Sequence, residues 1–333
     1  MSFSPSFAEL RDAVEADLDV FLKERAAVVP EAEPLVSEIV RMLAAGGKRI
    51  RPLFCYWGFR VVSQDVPAII RAASALELLH TFAIVHDDIM DAADERRGIP
   101  TVHRTRGTEV ALLVGDLALV LADEALMSAP FPPGPLLRAL EAYSRMRQEV
   151  IAGQFLDFSS ATEAVSEERA RRIAVLKSGN YSVEEPLLIG ASLGGASDDV
   201  LEALARFGRP LGEAFQLRDD LLGTFGDPSV LGKPVDTDIR AGKRHVLYAK
   251  TLAALSGTDR RFFLDRWGAG ASLTDDEIER LRDLAASGGR TATEKLLAEL
   301  AAEARTALDD ISCDASCKEA LEQLVEVTVG RDA

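Results

Sequence analysis

A chain of 333 residues with 47% hydrophobic content can bury a substantial core and is not a disordered acidic tail. Its net charge of −16, from 54 acidic against 38 basic residues, argues against wrapping nucleic acid or adhering to anionic lipid, since both demand clustered Lys and Arg. Three cysteines, Cys55, Cys313 and Cys317, make no disulfide framework and lack the paired spacing of a zinc site.

The start, MSFSPSFAELRDAVEADLDVFL, has no basic n-region and no clean apolar run, so no signal peptide is expected and the chain reads as cytoplasmic. Period-3.6 apolar patterning then recurs almost throughout, with no alternating β-branched run, which predicts an all-α fold. Breakers separate the helical segments: GGKRIRP (46–52), RRGIP (96–100), SAPFPPGP (128–135), FGDPSVLGKP (225–234) and GAGASL (268–273). The helix between the first two breakers should run from about Val66–Pro67 to Glu95, apolar on nearly every face and therefore buried. Next, VALLVGDLALVLADEAL is the most apolar long stretch, but Asp116 and Asp123 interrupt it and argue against stable membrane insertion. A helix with an apolar stripe of Leu211, Ala214, Phe215, Leu221 and Leu222 should end around Gly223, Gly226 and Pro228. Thr274 with Glu277 forms a capping box opening a late helix. With no linker or repeat in view, residues 1–333 read as one domain, a single large helical bundle.

Two of these helices end in carboxylates. Asp87, Asp88 and Asp91 close the first, on adjoining faces, and Asp219 with Asp220 closes the second. On an exposed helix such like charges cost only about 0.2–0.5 kcal/mol per pair, so a solvated helix end is the plain alternative. Against it, the macrodipole disfavours anions at a helix C-terminus, and at an effective dielectric near 20 each close buried pair repels by roughly 4 kcal/mol. A bound cation removes both penalties. Hard oxygen ligands without a His/Cys set favour Mg²⁺ shared with a phosphate-bearing ligand. The basic residues form islands, GGKRIRP, RRGIPTVHRTRG (96–107) and RAGKRH (240–245), a pattern suited to a small polyanion. Taken alone, GGKRIRP is equally a surface turn, His80 a core histidine, and Arg96 and Arg97 complements to their helix end.

Together these motifs match a family. GGKRIRP, His80, DDIMD with RRGIPTVHR, GD at 115–116, KSG at 177–179, FQLRDDLLGTFGD, GKP and D…GKR, in that order, resemble the trans-isoprenyl diphosphate synthases, or polyprenyl synthetases. The resemblance implies an all-α isoprenoid synthase fold with a central active-site cavity, commonly a homodimer. It implies head-to-tail joining of isopentenyl diphosphate to an allylic diphosphate (dimethylallyl, geranyl or farnesyl). Asp87, Asp88, Asp91, Asp219 and Asp220 would hold about three Mg²⁺ around the allylic diphosphate, which Arg96, Lys177 and Lys233 would grip with help from Lys243. Lys48, Arg51, His80 and Arg97 would bind the diphosphate of isopentenyl diphosphate, while Ser178 and Gln216 would set oxygen dipoles beside the allylic cation.

One departure is plain. The family usually carries a third aspartate in its second motif, where this chain has Gly223; DDLLG resembles a variant subset, and Asp227 is a candidate replacement. For product length, the growing chain would descend a groove beneath Asp87, with small Ala83 one turn below. Phe82 lies five residues before Asp87, roughly 7.5 Å along the axis. On geometry alone Phe82 is equally an ordinary core residue. Resemblance to family members with two residues inside the first motif and an aromatic five before it implies a twenty-carbon product, geranylgeranyl diphosphate, with farnesyl or longer diphosphates as alternatives. A terpene cyclase would leave GGKRIRP and His80 without purpose, and a non-catalytic subunit tends to lose aspartates of the first motif, all three of which are kept here.

Overall fold

The computed structural model describes residues 5–160, 165–226 and 236–330; the expected roles of Asp227 and Lys233 lie outside them. Helices follow one another as α1 (Phe7–Val28), α2 (Glu33–Ala44), α3 (Ile50–Val62), α4 (Ala68–Met90), α5 (Val102–Arg106), α6 (Thr108–Met127) and α7 (Pro133–Ser160). After α8 (Glu167–Ala174), a π-helical stretch, Val175–Glu184, leads into α9 (Glu185–Leu193) and α10 (Asp198–Phe225). The rest are α11 (Thr237–Ala241), α12 (Val246–Ala254), α13 (Gly257–Arg266), α14 (Asp275–Ala285), α15 (Thr291–Asp309) and α16 (Ala315–Val329). Among the described residues the strands are a two-residue antiparallel pair, β1 (Glu95–Arg96) and β2 (Ile99–Pro100). The all-α expectation holds.

The chain divides into two compact units. The first comprises residues 1–143, 186–201 and 312–320, and the second comprises 144–185, 202–311 and 321–333. In the first unit α4 is the central helix, packed mainly against α6, α3 and α1. It is long and apolar enough to cross a membrane by composition, but 67% of its most apolar stretch is buried inside the protein. Helix α3 is buried from Ile50 to Val61. It meets α9 backbone to backbone: a Cβ on Gly58 would lie 2.2 Å from the Leu187 carbonyl oxygen, and one on Gly190 would lie 1.9 Å from that of Cys55. Glycine is what lets these helices touch.

The second unit holds an aromatic core in which Tyr248 stacks on Phe263, with 5.3 Å between ring centroids, beside Trp267 and Leu281. The capping box at Thr274 is present, the Glu277 N–H donating to Thr274 Oγ1 and Glu277 returning to Thr274 N–H.

One helix end departs from the sequence reading. Helix α4 stops at Met90 rather than near Glu95, because Ala92 turns into the left-handed region (φ 50°). There the Ala92 N–H donates to the Ile89 carbonyl and the Ala93 N–H to that of Asp88, which is a Schellman end made without glycine. Helix α10 ends at Phe225, directly before Gly226 and among the expected stops; it passes Gly223, since one glycine costs a helix only about 1 kcal/mol.

Gly190→Ala should destabilise the protein by about 1–3 kcal/mol, as overpacking does, read by chemical denaturation. A change below 0.5 kcal/mol would show that α3 and α9 can part at no cost.

Candidate active site

In the first unit the carboxylates emerge where α4 ends. Asp88 is buried, Asp87 half-buried, and Asp91 is the exposed C-cap. The turn after α4 brings β1 back over its end, so Arg96 Nε donates to Asp88 Oδ1 at 2.7 Å and its Nη2 lies 3.6 Å from Asp87. Burial still wins at Asp88. Its carboxyl is pushed up to about 6, with Arg96 opposing and Asp87 and Asp91 adding to the rise. Asp88 Oδ2 is buried without a hydrogen-bond partner. An orphaned buried carboxylate oxygen beside two further carboxylates is a donor set that fits a hard divalent cation such as Mg²⁺.

A cationic pocket lies in the same unit. His80 sits among Arg51, Arg97, Arg96 and Arg49; burial first, then those four guanidinium fields, push it well below the ordinary histidine range, so it is neutral at pH 7. Arg51 is buried in the first turn of α3, and Lys48 is exposed on the loop that precedes it. Arg97 donates to the Gly46 carbonyl, which ties the loop of residues 46–49 to the turn after β1. Arg49 plays another part. Fully buried, it pairs with Glu77 at 2.9 Å and donates to the Leu43 carbonyl at 2.6 Å, so it braces the loop that presents Lys48 and Arg51. Arg49, Ala92 and Arg97 are the non-glycine residues with positive φ among the described residues. Each costs about 1–2 kcal/mol, and such strain concentrates at functional sites. Further down α4, Phe82 and Ala83 are half-buried, and the Phe82 ring stands edge-on to His86 with 4.9 Å between centroids.

The second unit carries the remaining candidates. Four positions on α7, each four residues apart, face the π-helical stretch and α9. Arg145 makes a forked pair with Glu185 at 3.2 and 3.3 Å, Glu149 accepts from Asn180, Gly153 abuts the backbone of Lys177, and Asp157 pairs with Lys177 at 2.6 Å. A π-helix is rare and marks functional sites. Here it carries Lys177 and the buried Ser178, while Gly179 meets Gly212 of α10 backbone to backbone. One turn beyond Gly212, Gln216 donates to Asp220 Oδ1 at 2.7 Å. Asp219 is exposed; Asp220 is buried, and burial raises its carboxyl. Asp220 Oδ2 has no hydrogen-bond partner among the described residues, so this carboxylate repeats the fit to a hard cation.

At position 223, where the motif lacks its third aspartate, a carboxylate from elsewhere in the chain lies close by. The Asp238 carboxylate sits against Gly223, where a Cβ would be only 2.3 Å from Asp238 Oδ2, and Lys243 Nζ lies 3.4 Å from Asp238 Oδ1. Asp238, Asp157 and Arg49 were missed in the sequence. Each had a signal: Asp157 in the four-residue period Arg145–Glu149–Gly153–Asp157, Arg49 inside GGKRIRP and Asp238 in the stretch that opens D…GKR; their partners show only once the chain folds back.

Comparison with known proteins decides the family: the polyprenyl synthetase model matches residues 33–283. The chain belongs to the polyprenyl synthetase family. This polyprenyl synthetase is 32% identical to the geranylgeranyl diphosphate synthase of Methanosarcina mazei over 96% of this chain and 95% of that one. It is 37% identical to the (2E,6E)-farnesyl diphosphate synthase of Mycobacterium tuberculosis over 73% of this chain and 68% of that one. A crystal structure of the geranylgeranyl pyrophosphate synthase of Corynebacterium glutamicum, complexed with isoprenyl diphosphate and magnesium, superposes with a TM-score of 0.93 at 32% identity, covering 98% of this chain and all of that one. The protein is therefore a prenyltransferase of the isoprenoid synthase fold that elongates prenyl chains. Its family works with magnesium on isopentenyl and allylic diphosphates.

Asp157→Asn should loosen Lys177 and lower kcat/KM for the allylic diphosphate about tenfold, with KM for isopentenyl diphosphate unchanged. Equal losses for both substrates would count against so local a role.

Proposed function

We propose that this enzyme is a geranylgeranyl diphosphate synthase that adds isopentenyl diphosphate to dimethylallyl, geranyl or farnesyl diphosphate. The observation that carries the two-substrate reading is the pocket of Arg51, Arg97 and His80, which offers a second diphosphate only cations and a neutral imidazole. A cyclase needs no such pocket, and a subunit without catalysis has no use for an intact first motif.

Asp87, Asp88, Asp91, Asp219 and Asp220 hold about three Mg²⁺, which when bound neutralise charge on the leaving diphosphate. Arg96, Lys177 and Lys233, with Lys243, grip that diphosphate and stabilise the charge it gains as the allylic C–O bond breaks. Lys48, Arg51, His80 and Arg97 hold isopentenyl diphosphate without ionising it. Its double bond forms the new C–C bond with the allylic cation, which Ser178 and Gln216 face with oxygen dipoles, and a proton then passes to the departing diphosphate. Phe82 floors the groove under Asp87 and small Ala83 leaves room above it, supporting a twenty-carbon product; the farnesyl diphosphate synthase likeness keeps the shorter product as the alternative.

We further read the enzyme as a cytoplasmic homodimer. On α6, Leu113, Val120 and Met127, spaced by sevens, are 54%, 59% and 55% exposed, an apolar stripe that a second copy would cover. The charged substrates and the burial of α4 favour action in water.

Arg51→Ala should raise KM for isopentenyl diphosphate at least tenfold and leave the allylic KM within about twofold; movement of the allylic KM alone would reverse the two pockets. In Phe82→Ala, chromatography of the products should show chains beyond twenty carbons. An unchanged length distribution would move the floor to another helix.

A further inference from the structure

Helix α12 begins at Val246, and its N-cap is a histidine: the Tyr248 N–H donates to His245 Nδ1 over 3.1 Å. A ring nitrogen that accepts a hydrogen bond carries no proton, so the neutral imidazole keeps its proton on Nε2. That Nε2–H is buried and has no acceptor among the described residues. A buried donor left unmade costs roughly 1–3 kcal/mol. Ser, Thr, Asp or Asn would cap the helix without this cost. The cap alone does not account for a histidine here.

Residues 238–246 run along the face of α10 that carries Asp220. Gly223, three residues beyond Asp220 on that face, receives the Asp238 carboxylate. Val246, next to His245, shares a buried cluster with Ala214 and Leu217 of α10. Asp220 Oδ2 is itself buried and without a donor, while Oδ1 is taken by Gln216. Two complementary orphan atoms thus lie on facing segments. The two groups are close: after burial, which raises the Asp220 carboxyl, His245 is the neighbouring group that bears on it most.

We propose that His245 is a positioning residue for Asp220, its Nε2–H donating through one bridging water to Asp220 Oδ2, and so orienting the carboxylate toward a divalent cation. This rests on the reading of Asp220 as a magnesium ligand. Such outer donors typically change metal affinity by about 10–100-fold.

The test reads binding rather than turnover: MgCl₂ is titrated calorimetrically into the full chain in the presence of inorganic diphosphate. His245→Ser keeps an oxygen cap for the Tyr248 N–H, so Tm should hold while the Kd for Mg²⁺ rises about tenfold. His245→Asn, an equally good cap whose shorter amide stops short of Asp220, should reproduce that loss. Asp220→Asn should weaken binding too, and the double variant should bind no worse than Asp220→Asn alone, because the two groups act as one unit. An unchanged Kd in both His245 variants, or fully additive losses in the double variant, would overturn the proposal and leave His245 as a cap. If Asp220→Asn itself binds Mg²⁺ like the wild type, the ligand assignment beneath it fails instead.

Discussion

A carboxylate buried at the C-terminal end of an apolar helix is under strain from two sides, and Asp88 is that group. Burial drives its carboxyl up to about 6, and the macrodipole of α4 adds further cost to the ionised form. The surroundings read as a response to this charge. The left-handed turn at Ala92 ends the helix early, and the β1–β2 pair returns Arg96 to within 2.7 Å of Asp88. Arg96 offsets only part of the penalty, and the second carboxylate oxygen stays without a donor. Such a group favours a further cation, and in our reading a divalent metal carried with a diphosphate would supply it.

The cationic pocket poses the opposite problem, since four guanidiniums gathered around His80 repel one another. Glu77 eases it: buried against Arg49 at 2.9 Å, it also draws on Arg97. The histidine yields by staying neutral, so the pocket holds one more hydrogen-bonding group without one more charge. In our reading a substrate diphosphate would complete the balance, and Arg96, which also pairs with Asp88, links this cluster to the first aspartate motif.

The helices, both aspartate motifs and the basic islands could be read in the sequence because each is a local pattern. Apolar period and charge spacing are properties of ten or twenty neighbouring residues. What escaped is what depends on distant parts of the chain. The end of α4 was misplaced because Ala92 adopts a conformation usually left to glycine. The carboxylate seated at Gly223 comes from Asp238, fifteen positions along, and Lys177 is held by an aspartate twenty positions earlier. The π-helical stretch has no periodic signature either; backbone contact between Gly179 and Gly212 accompanies it.

One measurement bears most directly on the whole account: the product formed by the wild-type protein from radiolabelled isopentenyl diphosphate and farnesyl diphosphate, with Mg²⁺ and with excess chelator. The account predicts a linear geranylgeranyl diphosphate with Mg²⁺ and no condensation in chelator. A cyclic hydrocarbon, or full activity with the metal removed, would contradict it.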